Sequence, residues 1–452
     1  MGPGRNGRGD RRRAPRALTD RYRRHADMTN KKPLSLTQIV LATSVGNALE
    51  WFDIAIYAFF AVHIAKNFFP TANETASMLL TFGSFGASYL VRPIGGMVLG
   101  AYADKRGRKA ALMMSVGLMM IGTAIIAVIP PHASIGLLAP AGVFIARLIQ
   151  GFSAGGEFGA STAMLIEHAP ERRGLLASWQ FTTQGLATLL ASTFGFALAK
   201  LMPASELSAW GWRMPFFFGL LIGPAGLYLR RFLEDAADYT EAEHTATPVR
   251  DVLTRQKALL LTSIGALTVS TAVNYLLQYV PTFAIRELHL DASTGFAASI
   301  VAGLMLTLVT PFAGHLSDKI GRVKQMSTAA LLLFVTGYPA FAYVVSHVSV
   351  AALFGLVAWL ALLKAVYFGA LPALMSEIFP TSTRATGISI SYNIGVTVFG
   401  GFTPAIVIWL SSATGSKAAP SFYMMFTAVI SLAALAAVSR GKEPLSSAGT
   451  AA

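Results

Sequence analysis

The chain has no cysteine, so disulfides, thiol chemistry and cysteine-ligated metals are excluded. Charge is scarce too. Only 13% of the 452 residues are Asp, Glu, Lys or Arg, against roughly 25% in a soluble domain. No histidine pair has metal-ligand spacing, and no nucleophile elbow or phosphate loop is present. No cofactor, metal or enzymatic activity is expected. What the chain has instead is apolar length. It is 54% hydrophobic, with a mean hydropathy of +0.55. A lipid core about 30 Å thick takes about 20 apolar residues per helix.

Apolar runs recur at about 36–62, 76–101, 109–129, 134–165, 176–200 and 212–231. Six more follow a polar stretch, at about 256–283, 294–316, 325–345, 349–376, 384–410 and 420–439. The expected fold is an all-α integral membrane protein. Its twelve transmembrane helices form two pseudo-symmetric six-helix bundles, 36–231 and 256–440, joined by a cytoplasmic linker at 232–255. A basic arm, 1–35, precedes them and a short tail, 441–452, follows.

The net charge of +14 does not point to nucleic acid. Beyond the arm, its cations cluster in the even-numbered connections, such as "ADKRGRK", "HAPERRG" and "SDKIGRVKQ". Odd-numbered ones, such as "PTANET" and "PPHAS", carry almost none. That bias places the even loops and both termini in the cytoplasm. The arm, "MGPGRNGRGDRRRAPRALTDRYRRHAD", is polar and reads as disordered. Met28 offers a second start, and an anionic-lipid tether is the functional alternative for the arm.

The halves repeat. "GAYADKRGR" (Gly100, Asp104, Gly107, Arg108) is echoed by "GHLSDKIGR" (Gly314, Asp318, Gly321, Arg322). Glu167 and Glu377 each follow the fourth helix of a half. Glycine permits a tight turn there, Asp can cap or pair beside a helix end, and Arg can anchor to a headgroup or an acid. One copy would be a solvated turn. Two copies at matched offsets imply a duplicated unit, as in many secondary transporters.

The doubled loop resembles the major facilitator superfamily. "GNALEWFDIAIYAFF", "YLVRPIGGMVLGAYADKRGRK", "RLIQGFSAGGEFG" and "WGWRMPFFFG" resemble its metabolite:proton symporter branch. Within that branch, "MLLTFGSFGASYLVRPIGGMVLGAYADKRGR" and "GGFTPAIVIWL" are most similar to citrate and tricarballylate carriers. Related carriers take proline/betaine, 2-oxoglutarate or shikimate. The resemblance implies alternating-access import of a small di- or tricarboxylate with protons, at the cytoplasmic (inner) membrane. The alternatives are a zwitterionic osmolyte or another small monocarboxylate as cargo, or a non-transporting metabolite receptor. A monomer in the lipid bilayer is expected.

Ionisable residues inside the bilayer cost roughly 2.5–3.5 kcal/mol each and face protein or water. The intramembrane set is Glu50, Asp53, Arg92, Arg147, Glu157 and Lys364. At 1.5 Å per residue, Glu50, Arg92, Arg147 and Lys364 all lie about 18–21 Å from a helix end. Glu50, Asp53 and Tyr57 share one face of the first helix. Two readings stand for the acids: exchange of the coupling proton, or a structural salt bridge to Arg92 or Arg147. Arg92, Arg147 with Gln150, and Lys364 are candidates for a substrate carboxylate. For Arg92 the alternative is orienting the second helix. Lys364 could instead be deprotonated or pair across the halves. Glu157 is a gate contact or a packing pair. Tyr57, Asn274, Gln278 and Asn393 are candidate cavity residues, with interhelical hydrogen bonding as the alternative. Arg286 is expected to snorkel at the outer end of the seventh helix.

Overall fold

The computed structural model describes residues 36–106, 108–155, 158, 162, 172–231, 248–380 and 383–442. They are helical, with no strand among the described residues. Residues from Val40 onward belong to one unit. The long helices are α1 (Leu36–Phe59), α2 (Glu74–Arg106), α3 (Arg108–Val128), α4 (Leu138–Ala154), α5 (Arg173–Leu201) and α6 (Met214–Arg231). After a short helix, Pro248–Thr254, come α7 (Lys257–Arg286), α8 (Ala292–Ile320), α9 (Arg322–Ser346) and α10 (Val350–Ile378). Next is α11, built of Arg384–Val396, a π-helical turn Thr397–Gly401 and Thr403–Thr414, and then α12 (Ala419–Lys442). Among the described residues six helices, all in the second half, are long and apolar enough to cross a membrane by length and composition.

The surface is apolar where a soluble protein would be polar. Leu221, Phe312, Met97 and Trp409 are well exposed on helix outer faces. Polar side chains such as Asn47, Gln150, Asn274 and Gln278 are buried inside. Lipid removes the penalty for exposing apolar groups and imposes one for exposing polar ones, so the usual arrangement inverts.

Several boundaries differ from the hydropathy reading. The first span does not stop at 62. It breaks at Phe60, where the backbone leaves the helical region, and continues as Ala61–Phe68. The fourth span starts later than 134, because a one-turn helix, His132–Ile135, ends at Gly136 with φ +58°. Arg147 is therefore about 14 Å from the start of α4 rather than about 20 Å. Apolar side chains on the short helix carry the hydropathy signal through the break.

Six helices (α2 and α6–α10) contain an internal proline. Proline removes a donor and frees the carbonyl four residues earlier. Pro93 frees that of Tyr89, and the Thr397 hydroxyl on α11 donates to it at 2.8 Å. Glycines allow the tightest helix contacts. A Cβ on Gly151 or Gly155 of the α4 end would collide with the α2 backbone at Ser88 or Arg92. One on Gly314 of α8 would strike the Gly174 carbonyl of α5.

Candidate functional site

The two acids of α1 take different partners. Glu50 forms an ion pair with Arg92 of α2, both buried. Arg92 also donates to the Ala154 carbonyl at 3.3 Å. Ala154 is the last residue of α4, so the guanidinium sits at a helix C-terminus, where a cation is favourable. The Arg92 side chain lies 5.2 Å from the Tyr89 ring.

Asp53 touches no arginine directly. Its Oδ1 accepts from the Thr123 hydroxyl of α3 at 2.8 Å, and its Oδ2 accepts from the Gln150 amide of α4. The Gln150 carbonyl in turn accepts from Arg147 Nη1 at 2.7 Å. Arg147 also donates to Ser88 Oγ at 3.2 Å and lies over the Tyr57 and Phe85 rings, at 4.6 and 4.9 Å. The Tyr57 hydroxyl is 2.7 Å from Ser84 Oγ. The direct Asp53–Arg147 pairing that depth alone allowed is thus a relay through an amide, because Gln150 sits one turn beyond Arg147 on the same face. Arg147 is 1% exposed and has no ion-paired acid among the described residues.

A cavity with room of about 40 Å³ for water-molecule centres lies beside Asp53 and Glu50. Ser115, Thr123 and Ser153 line its polar side, and Met119, Met120, Gly219 and Gly223 its apolar side. A second, of about 10 Å³, lies between Asp53, Arg92 and Arg147. At roughly 10–15 Å³ per water these hold a few waters and one at most. Both lie among the first six helices, and neither is large enough for a tricarboxylate.

In the second half, Lys364 of α10 donates to Asn274 Oδ1 of α7. Its ammonium lies 4.6 Å from the Phe368 ring centre. It does not pair across the halves, and no ion-paired acid is found for it among the described residues. Gln278, one turn beyond Asn274, is buried with its carbonyl oxygen unpartnered. Asn393 of α11 donates to the Gly155 carbonyl at 3.0 Å, tying α11 to the end of α4, and its own carbonyl oxygen has no partner. Tyr275 of α7 donates to the Tyr89 hydroxyl of α2 at 2.6 Å. Arg286 does not simply snorkel. It pairs with Glu74 at the start of α2, at 3.5 Å, because α7 and α2 present these groups at the same end.

The second loop motif is well defined. Gly321 has φ +90°, which only glycine adopts without strain, and it separates α8 from α9. Asp318 accepts from the backbone N–H groups of Gly174 and Leu175, at 3.0 and 3.3 Å, where α5 begins. Arg322 pairs with both Asp318 and Glu377. In the first copy α2 is described as far as Arg106 and α3 from Arg108. Gly107, Glu157 and Glu167 lie outside the described residues, as do the side chains of Asp104 and Arg108 and the surroundings of Gly100.

The sugar (and other) transporter family matches residues 39–247 and 237–440. The chain belongs to that family, within the major facilitator superfamily. A citrate-proton symporter of Klebsiella pneumoniae is 38% identical, over 87% of this chain and 90% of its own. A proline/betaine transporter of Escherichia coli is 32% identical, over 88% of this chain and 82% of its own. Among solved structures, the xylose transporter from E. coli in a partially occluded inward-open conformation superposes with a TM-score of 0.70. It is 17% identical and covers 90% of this chain and 97% of its own, a likeness of fold alone. The transporter is a multi-pass membrane protein that moves a small solute. Sequence reasoning missed Thr123 and Ser115, lone hydroxyls in an apolar span. Counting depth along the third span would have placed Thr123 beside the charges.

Proposed function

We propose that the transporter imports a small organic acid of the citrate or tricarballylate type together with protons, by alternating access. The observation that carries this is the Asp53–Gln150–Arg147 relay, a buried acid linked through one amide to a buried cation with no acid of its own. While Asp53 is ionised, its charge offsets Arg147. Once Asp53 takes a proton, Arg147 is left among neutral partners, and a substrate carboxylate supplies the missing negative charge. Binding of proton and anion is thereby coupled, each favouring the other. Lys364 offers a second cation from the other half, with Asn274 and Gln278 beside it. The Glu50–Arg92 pair, anchored on the end of α4, braces α1, α2 and α4.

The energetics suit a carboxylate. Bringing in a trivalent anion against 100 mV costs about 7 kcal/mol, and three accompanying protons cancel that electrical cost. The motif copies act as cytoplasmic latches, with both termini on that side of the inner membrane. The bundles are 36–231 and 256–440, joined by 232–255.

Uptake in membrane vesicles with an imposed pH gradient tests this, using radiolabelled citrate, tricarballylate, 2-oxoglutarate and betaine. Gradient-driven accumulation of a di- or tricarboxylate is expected. Accumulation of betaine alone would assign a zwitterion instead, in line with the proline/betaine relative. No accumulation of any acid would end the carboxylate reading.

A further inference from the structure

The Thr123 hydroxyl is placed to serve Asp53 in both of its charge states. Thr123 is 3% exposed. Its Oγ1 is 2.8 Å from Asp53 Oδ1, 3.0 Å from the Met119 carbonyl and 3.1 Å from Gln150 Nε2. A hydroxyl has one proton to donate and two lone pairs to accept with. It cannot donate to Asp53 and to Met119 at once, so the two acceptors are alternatives.

With Asp53 ionised, the Thr123 proton points at Oδ1 and the Gln150 amide donates to Oδ2. Protonation at Oδ2 would set two donors face to face, because Arg147 holds the Gln150 carbonyl and so fixes the amide with its N–H groups toward Asp53. Protonation at Oδ1 meets no such conflict. The new O–H donates to Thr123 Oγ1, the Thr123 proton swings to the Met119 carbonyl, and Gln150 keeps its bond to Oδ2. No heavy atom moves, and no buried polar atom loses a partner. Leaving one unsatisfied would cost about 1–3 kcal/mol.

Asp53 also borders a cavity. The cavity, of about 40 Å³, is lined from α1, α3, α4 and α6. A Cβ built on Gly219 would lie 3.9 Å from Oδ1 and 3.8 Å from Thr123 Cγ2, so the glycine leaves room for about one carbon beside them. The charged and titratable groups around Asp53 are Glu50 on α1, Arg92 and Tyr89 on α2, and Arg147 on α4. The described side chains of α3 and α6 add none.

We propose that Thr123 is a positioning residue of the proton site, its hydroxyl turning from Asp53 to the Met119 carbonyl as Asp53 takes up a proton. The proton comes from water in the side cavity: one O–H bond breaks in the donor as one forms at Oδ1, and release reverses both. This rests on the reading of Asp53 as the coupling acid. It adds that the acid is neutralised without rearranging its neighbours, so that the change reaches Arg147 as charge alone.

The test is an infrared pH titration of the full-length transporter reconstituted in lipid, following the C=O stretch of protonated carboxyl groups. No substrate is needed. The band missing in Asp53→Asn belongs to Asp53. Thr123→Val keeps the shape and removes the hydroxyl. A hydrogen bond to a charged group is worth more than one to a neutral group. The proton concentration that half-protonates Asp53 should therefore fall about tenfold in Thr123→Val. The band should also move to higher frequency, and Thr123→Ser should restore both to within about twofold of the wild type. An unchanged titration in Thr123→Val, or a displaced one in Thr123→Ser, would overturn the role of Thr123 and leave Asp53 standing. If Asp53→Asn removes no titrating band, the coupling acid itself has been misassigned. Should Thr123→Val not reach the membrane, Thr123→Ala carries the same comparison.

Discussion

The two halves treat buried charge in opposite ways. In the first half every described intramembrane charge belongs to a network: Glu50 with Arg92, and Asp53 through Gln150 with Arg147. In the second half Lys364 stands with a neutral amide and an aromatic face, and no ion-paired acid among the described residues. A compensated network can be stable and still change its charge by one proton. A lone buried cation is costly, and a fold that keeps one gains from an anion that arrives later. Under the proposed function, the first half would sense the proton and the second would hold what comes with it.

The strongest way to break this contrast is at Asp53. Asp53→Asn should abolish accumulation driven by a pH gradient, by at least about 100-fold, while sparing downhill exchange of labelled for unlabelled substrate. Concentrative uptake by that variant in vesicles would remove Asp53 from coupling. Next comes Arg92→Met, which removes the buried Glu50–Arg92 pair. Breaking a buried pair costs about 3–5 kcal/mol, so thermal unfolding in detergent should shift sharply downward. Adding Glu50→Gln should recover most of that loss.

Lys364→Met sharpens the comparison from the other side. Removing an unpaired buried cation should leave thermal stability unchanged or slightly higher. Substrate affinity should fall about tenfold or more, as loss of a charge-assisted contact does. A fall in stability matching that of Arg92→Met would show Lys364 to be compensated after all. The smallest effect is expected at Asp318→Asn, which weakens the Arg322 pair and the cap on α5 by about 1–2 kcal/mol. Because the native chain has no cysteine, a single introduced cysteine near Gly174 can report the loosening as faster labelling.

Much of this contrast was legible in the sequence. Depth counting brought Glu50 and Arg92 to one level, and they pair. It brought Asp53 and Arg147 together as well, but not the amide between them. Gln150 was visible as a polar neighbour of Arg147; which acid it would reach depends on how α4 is rotated against α1. Thr123 was hidden because a threonine in "MMIGTAIIAV" looks like any helix residue until α3 is laid beside α1. Arg286 was read as a snorkelling end residue because its partner, Glu74, lies 212 positions earlier in sequence.

By itself the sequence determined that this is an all-helical, multi-pass membrane protein, and it carries two similar loop motifs. Those properties follow from hydropathy and composition summed along the chain, which need no knowledge of neighbours. Only the tertiary structure decided which acid meets which cation, that one pairing runs through an amide, and that Lys364 stays with Asn274. Each of those depends on how helices are rotated and crossed against one another, and glycine contacts and proline-freed carbonyls set that, not the period of any one helix.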